Sequence, residues 1–317
     1  MLKPLRLVPA DTRILFVANR RYAFAASAVM VIGSLLAVLL MGLNFGIDFR
    51  GGILMEVRSQ QAVDVPRVRS TLSDLGLGEI SIQEFGAETD VLIRVQRQDG
   101  AEREQMAAIE AVKQALGQDY DYRRTEFVGP TVGEELKEAG ALAVGLALLS
   151  ILVYIWFRFE WQFGIGAILA LGHDILTTVG LFAIIQHEFN LATVAAVLTI
   201  AGYSINDTVV VYDRVRENLR KYKRMDLADL FNMSINETLS RTTMTSVTTL
   251  LALFSIYFFG GEVLADFALA MIWGVCIGTY SSIFIAVPLL LYTNLKRGEE
   301  TPTHVSVPQD ERVGEDG

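Results

Sequence analysis

The sequence predicts a polytopic α-helical membrane protein of six transmembrane helices carrying one α+β, ferredoxin-like ectodomain. Of 317 residues, 52% are hydrophobic and the mean hydropathy is +0.38, more apolar surface than soluble domains of this length bury. Apolar runs of about 20 residues, the length that crosses a bilayer, recur six times. One long polar stretch, residues 44–137, separates the first run from the others and alternates strand-like with helix-like patterns.

Residues 1–21 precede the first span, 22–43. That run is longer than the hydrophobic core of a signal peptide and no small-residue cleavage site follows it, so a retained anchor is expected. The remaining runs, near 139–157, 163–186, 191–212, 243–260 and 267–294, supply spans two to six within residues 138–294. Basic residues flank them on one side only. Arg13, Arg20 and Arg21 come before span one, Arg158 between spans two and three, and Arg214, Arg216, Arg220, Lys221, Lys223 and Arg224 between spans four and five. Lys296 and Arg297 follow span six. By the positive-inside rule that side is the cytoplasm, with both termini on it and residues 44–137 outside.

The formal charge of −9 is unevenly spread: residues 44–137 hold 17 Asp/Glu against 11 Lys/Arg, and the tail, 295–317, is mostly acidic. A split by membrane side is a topology signal, and no nucleic-acid partner is expected from it. Within 44–137, residues 53–58 read as a strand. Val65, Val68, Leu72 and Leu75 mark a helix stopped by Gly76. Residues 80–85 and 91–95 read as strands joined by a turn at Gly86. Met106, Ile109, Val112 and Leu116 mark a second helix ending at Gly117, and 122–128 a last strand. The order βαββαβ is that of a ferredoxin-like domain. In the loop 213–242, Leu227, Phe231, Ile235 and Leu239 recur every four residues and predict a short amphipathic helix at the cytoplasmic interface. Capping-box spacing occurs at Ser234/Glu237 and at Thr131/Glu134; the second would start a helix leading into span two.

Enzyme chemistry has little to stand on. Three scattered histidines, His173, His187 and His304, lack ligand spacing, so no metal and no cofactor are assigned. The single cysteine, Cys276, excludes an internal disulfide and reads as a small core residue. There is no GxSxG and no P-loop, and Gly46-Ile-Asp-Phe-Arg-Gly-Gly52 precedes a strand rather than a helix, which suits a tight turn into the domain. No catalytic residue is assigned.

Charged side chains at membrane depth cost at least ~2.5–3.5 kcal/mol each, so each needs a reason to be there. Asp174 lies in mid-span, with Thr177 and Thr178 on its face. It reads either as a hydrated ionisable site or as a helix–helix hydrogen bond. Asp207 lies near the cytoplasmic end of span four in a patch with Ser204, Asn206 and Thr208. Arg241 stands at the same depth at the start of span five and opens a polar stripe with Thr245, Thr248 and Thr249. The stripe suits a hydrated path or a polar seam; Arg241 taken alone could also snorkel to the headgroups. Gly274, Gly278 and Ser282, four apart in span six, read as a close-packing face, and Pro288 as a kink.

Taken together, several motifs resemble the SecD/SecF family of protein-export membrane subunits, within the resistance-nodulation-division superfamily. They are Phe45-Gly-Ile-Asp-Phe-Arg-Gly-Gly52, Glu126-Phe-Val-Gly-Pro-Thr-Val-Gly133, Phe157-Arg-Phe-Glu-Trp161 and Leu171-Gly-His-Asp174. Gly202-Tyr-Ser-Ile-Asn-Asp-Thr208, Asp213-Arg-Val-Arg-Glu-Asn218 and Ser240-Arg-Thr242 complete the series, in order along nearly the whole chain. The resemblance implies a bacterial inner-membrane subunit that pairs with SecD, joins the SecYEG translocon and assists a translocating preprotein with the proton motive force. The family's span-four aspartate falls on Asp207, its span-five arginine on Arg241, and its span-three histidine-aspartate motif on Asp174. Membrane lipid is the one other partner implied. Three rivals remain: a small-molecule or lipid exporter half-unit of the same superfamily, an intramembrane aspartyl protease using Asp174 and Asp207, and a passive scaffold.

Overall fold

The computed structural model describes residues 12–293 apart from 86, 99, 101 and 118, together with 9 and 295. The acidic tail 296–317 with Lys296, Arg297 and His304, the first eight residues, and the expected Gly86 turn lie outside the described residues. After a 3-10 turn at Val17–Asn19 comes α1 (Arg20–Met41), then a single-turn helix, α2 (Ile47–Arg50).

A small αβ domain follows: β1 (Gly52–Ser59), α3 (Val65–Ser73), β2 (Ile80–Phe85), β3 (Ala87–Val95), α4 (Glu102–Leu116) and β4 (Tyr120–Val128). The expected βαββαβ order is present, and the strands pair antiparallel in the order β2-β3-β1-β4. Ile53, Met55 and Val57 of β1 and Val91, Ile93 and Val95 of β3 point to one face, as a period of two requires. That face buries Val68 and Leu72 of α3 and Ile109 and Val112 of α4. Asp64 starts α3 by accepting the Arg67 N–H at 3.1 Å, with Pro66 in the first turn. Met106 departs from expectation and is exposed. Gln105 takes the inward place because its amide donates to the Gln98 carbonyl at 2.7 Å and accepts the Gln98 N–H at 3.3 Å.

The bundle consists of α1, α5 (Pro130–Arg158), α6 (Trp161–Ile185), α7 (Leu191–Lys221), α8 (Leu227–Phe259) and α9 (Glu262–Ser281). All six are long and apolar enough to cross a membrane. Leucines of α1 and α5 and the aromatics Phe254, Phe258 and Phe259 of α8 are exposed, as a lipid-facing surface requires. The sixth span does not simply kink at Pro288. It passes through a π-turn at Ser282–Ala286, a short helix α10 (Val287–Leu289) and a 3-10 turn at Leu290–Tyr292. Proline has no N–H to give the preceding turn, and the Tyr212 hydroxyl donates to the Ala286 carbonyl at 3.0 Å.

Further expectations are corrected. The predicted surface helix within 213–242 is the first third of α8, and its stripe is not interfacial. Phe231 and Ile235 are buried against the bundle with Phe159, Val211 and Val215, and Leu227 and Leu239 pack beside them. Ser234 is therefore no helix cap: its hydroxyl donates to the Leu230 carbonyl one turn back, at 2.8 Å. The helix expected at Thr131 does lead into span two, although α5 begins one residue earlier, at Pro130, with Gly129 as the flanking residue. Cys276 is exposed on α9, because an apolar run cannot say which of its residues faces inward.

Candidate functional site

Small residues allow α6, α7 and α9 to approach closely. A Cβ added at Gly274 of α9 would lie 2.3 Å from Ile200 of α7, and one at Gly278 would lie 3.3 Å from Ser204. On α6, a Cβ at Gly166 would lie 2.3 Å from the Tyr212 hydroxyl. With helices this near, short side chains span the gap.

Asp174 of α6 is fully buried, and its Oδ2 accepts hydrogen bonds from Ser204 of α7 at 2.5 Å and Ser281 of α9 at 2.7 Å. His173 Nδ1 lies 2.9 Å from its other oxygen. Thr177 and Thr178, which share its helix face, donate to the Asp174 backbone carbonyl at 3.2 and 2.7 Å and not to the carboxylate. Asp207 of α7 keeps 7% exposure and accepts from Ser282 at 2.8 Å. Ser282 is therefore more than the third member of a packing stripe. Adjacent serines at the start of the π-turn serve the two carboxylates separately, a placement typical of such turns at functional positions. Neither Ser281 nor the π-turn was legible in the sequence; the only signal was the Ser281-Ser282 pair ahead of Pro288.

The remaining candidates divide. Ser204 and Thr208 are buried on the inner face of α7, Ser204 serving Asp174 rather than Asp207. Asn206 is exposed and outside the site. Arg241 is exposed on α8 and makes no ion pair with Asp207; Thr245 and Thr248 are exposed beside it. The threonine hydroxyls return to their own helix, Thr245 to the Arg241 carbonyl at 3.1 Å and Thr248 to the Met244 carbonyl at 2.8 Å. The stripe thus faces outward from this chain at bundle depth. Among the described residues, no basic group is in ion-pair range of Asp207, and only His173 is in range of Asp174. No hydrogen bond joins the two carboxylates, which departs from the shared-proton dyad an aspartyl protease needs. No group of metal-ligating residues occurs among the described residues.

A second polar cluster ties the αβ domain to the loop between α6 and α7. Asp48 of α2 accepts the Leu191 N–H at 2.9 Å, capping the start of α7. Phe189 N–H donates to the Asn44 carbonyl at 2.8 Å, Gly46 N–H to the Phe189 carbonyl at 3.0 Å, and Arg94 of β3 pairs with Glu188. Gly52, at φ +121°, could not carry a side chain: a Cβ would lie 2.7 Å from the Val95 carbonyl. The glycine-rich turn therefore does more than lead into the domain; it clamps the domain to α7.

Comparison with known proteins gives consistent matches. Residues 108–296 match "Protein export membrane protein SecD/SecF, C-terminal", and residues 37–63 match the SecD/SecF GG motif. The chain is 46% identical over 298 residues to the protein translocase subunit SecF of Rickettsia felis, covering 92% of this chain and 96% of that one. To the corresponding subunit of Rickettsia prowazekii it is 44% identical over 305 residues, covering 95% and 97%. It is similar in structure to SecDF from Thermus thermophilus, described as a translocon-associated membrane protein, with a TM-score of 0.82 and 38% identity over 92% of this chain. A SecDF in a super-membrane-facing form gives a TM-score of 0.67 at 36% identity. The chain spans 40% of the length of either SecDF chain.

Proposed function

The chain belongs to the SecD/SecF family of protein-export membrane proteins, and on that premise we propose that it couples the proton motive force to late protein export through Asp207, Arg241 and Asp174. The observation that carries this reading is a pair of buried carboxylates, each held by a serine hydroxyl and neither matched by a permanent cation. A carboxylate so placed exchanges its proton when the helices around it move, since burial favours the neutral form and water or a cation the charged one. One charge crossing the membrane releases ~2.3 kcal/mol per 100 mV, enough to bias a two-state equilibrium more than tenfold.

Arg241 completes the scheme from α8, exposed and out of ion-pair range of Asp207. Its stripe would not face hydrocarbon, so a partner helix covers it, and the single-chain SecDF relatives support SecD as that partner. In this reading the arginine-rich end of the bundle lies in the cytoplasm of a bacterial inner membrane, the αβ domain lies outside, and SecYEG and the preprotein meet the complex there. Asp207→Asn mimics the protonated form and should insert and assemble normally, yet lose the uncoupler-sensitive part of reporter export in inverted vesicles. Arg241→Met should lose it too, and Arg241→Lys should retain part. Full uncoupler-sensitive stimulation by an assembled Asp207→Asn complex would show a scaffold instead of a coupler.

A further inference from the structure

His173 lies in the buried layer and has no part in the scheme above. Successive side chains on a helix diverge by about 100°, so neighbours do not normally touch. Here the imidazole folds back on the next residue, placing Nδ1 2.9 Å from Asp174 Oδ1. Both serine donors are on the opposite oxygen, Oδ2. That leaves the Oδ1–Nδ1 line for one shared proton, carried by the imidazole N–H when Asp174 is charged and by the carboxyl O–H when it is neutral. His173 Nε2 is buried without a partner among the described residues, and it is a lone pair whenever Nδ1 holds the ring's single proton.

The groups facing the ring are known from each element packed on it. Asp174 is its neighbour on α6; α7 offers Ser204 and, beyond it, Asp207. From α9 come Ser281 and Tyr280, whose ring lies 6.1 Å from the imidazole. The Tyr280 hydroxyl is engaged with Ser27 and with the Ala23 carbonyl of α1, both uncharged. With its one proton on Nδ1 and none on Nε2 the pair would carry a net negative charge in a fully buried position, and one more proton, on Nε2, makes it neutral.

We propose that His173 and Asp174 form a single proton-binding unit, a second site beside Asp207, that takes up one proton at Nε2 and releases it from the same atom. Uptake forms an N–H bond at the Nε2 lone pair as the O–H bond of the aqueous proton donor breaks, and release reverses both; the unit passes from anionic to neutral as an imidazolium–carboxylate pair. Consecutive hydroxyls of Ser281 and Ser282 place this unit and Asp207 on the two sides of the same π-turn, so a change in either shifts the same piece of backbone. The proposal rests on the proton-coupling reading of Asp207.

The chain has three histidines, so replacing His187 and His304 with Gln leaves one imidazole to observe. The test uses the full chain with SecD in lipid nanodiscs, labelled with nitrogen-15 histidine and followed by NMR as pH is varied. Nδ1 should stay protonated throughout while Nε2 titrates, and Asp174→Asn should move the midpoint. His173→Asn keeps a donor at the Nδ1 position and removes the titrating nitrogen; it should assemble, lose uncoupler-sensitive export several-fold and lose one transition from the pH profile. An Nε2 signal that stays constant across the accessible pH range would overturn the assignment. With Asp207→Asn still defective, that result would leave the coupling role of Asp207 standing, whereas a titrating His173 alongside a fully stimulated Asp207→Asn complex would remove the coupling role alone.

Discussion

Asn206 and Asp207 are neighbours in sequence and stand in opposite surroundings, one exposed and one buried. Residue type alone could not separate them, because both are polar and both lie in the same motif; only the phase of α7 against α9 does. Asn206→Ala should therefore leave export and assembly unchanged. Ser282→Ala, which removes the hydroxyl held by Asp207, should lower uncoupler-sensitive export without dissociating the complex. Equal effects in the vesicle assay would mean that the inner face of α7 is not what matters. A second residue-scale prediction concerns the αβ domain. The side chains of Arg58 and Asp90 are paired across β1 and β3, and the hydrogen bond from Arg58 holds the buried Asp90 carboxyl below its usual range. A carboxyl depressed in the folded state adds stability that is fully present above its unfolded value of about 4 and is lost as pH falls through the folded value. Arg58→Met should consequently lower the melting temperature of the domain at pH 7, and the gap to the unmodified protein should shrink as the pH falls below 4. A gap that stays constant with pH would show that Arg58 acts through packing alone.

Elements were legible wherever a period repeated against a defined environment. The strands of the αβ domain follow alternation, α3 follows the Val65, Val68, Leu72 and Leu75 face, and the six spans follow unbroken apolar length. The sequence misled where one signal had two structural meanings. Four apolar residues at helical spacing describe a helix on a membrane surface and equally the base of a longer helix packed on protein; α8 is the second, running from Leu227 to Phe259. The distinction came from residues far away in sequence. The Val17 N–H donates to Asn232 at 3.0 Å, and Ile14 and Asn236 exchange two hydrogen bonds, so the segment before α1 covers the foot of α8. Phe231, fully buried there, provides the test: Phe231→Ala should cost about 3–5 kcal/mol, as for other large buried side chains. Unfolding of the detergent-solubilised chain measures it, and a loss below about 1 kcal/mol would fit a lipid-facing or interfacial side chain better. The π-turn escaped for a different reason, since no local composition rule distinguishes an inserted helical residue from a regular one.

At the scale of the whole molecule, the two clusters described above are joined by α7. Its N-terminal end is capped by Asp48 and held by the Phe189 and Glu188 contacts, and its middle carries Ser204 and Asp207. A cavity of about 750 Å³ lies beside the joint, lined by Leu54 and Arg94 of the sheet and by His187, Glu188 and Asp266 of the bundle, so the contact between domain and bundle is confined to the polar cluster and the Phe45, Phe49 and Phe189 rings. A rigid helix with an attachment at one end and an exchangeable charge in its body transmits small displacements. The expected consequence is that the joint, and not the carboxylates, sets how firmly the domain follows the bundle. Spin labels on the exposed positions Gln60 of the domain and Thr199 of α7, in a Cys276→Ser background, report their separation by pulsed electron resonance in the assembled complex. Arg94→Met combined with Asp48→Asn removes the ion pair and weakens the cap while leaving Phe45, Phe49 and Phe189 in place. The distance distribution should broaden, and Asp207→Asn, which shifts its mean in the intact joint, should no longer do so. A narrow distribution in the double variant, still displaced by Asp207→Asn, would show that the domain is carried by its covalent links to α1 and α5 and that the loop between α6 and α7 transmits nothing.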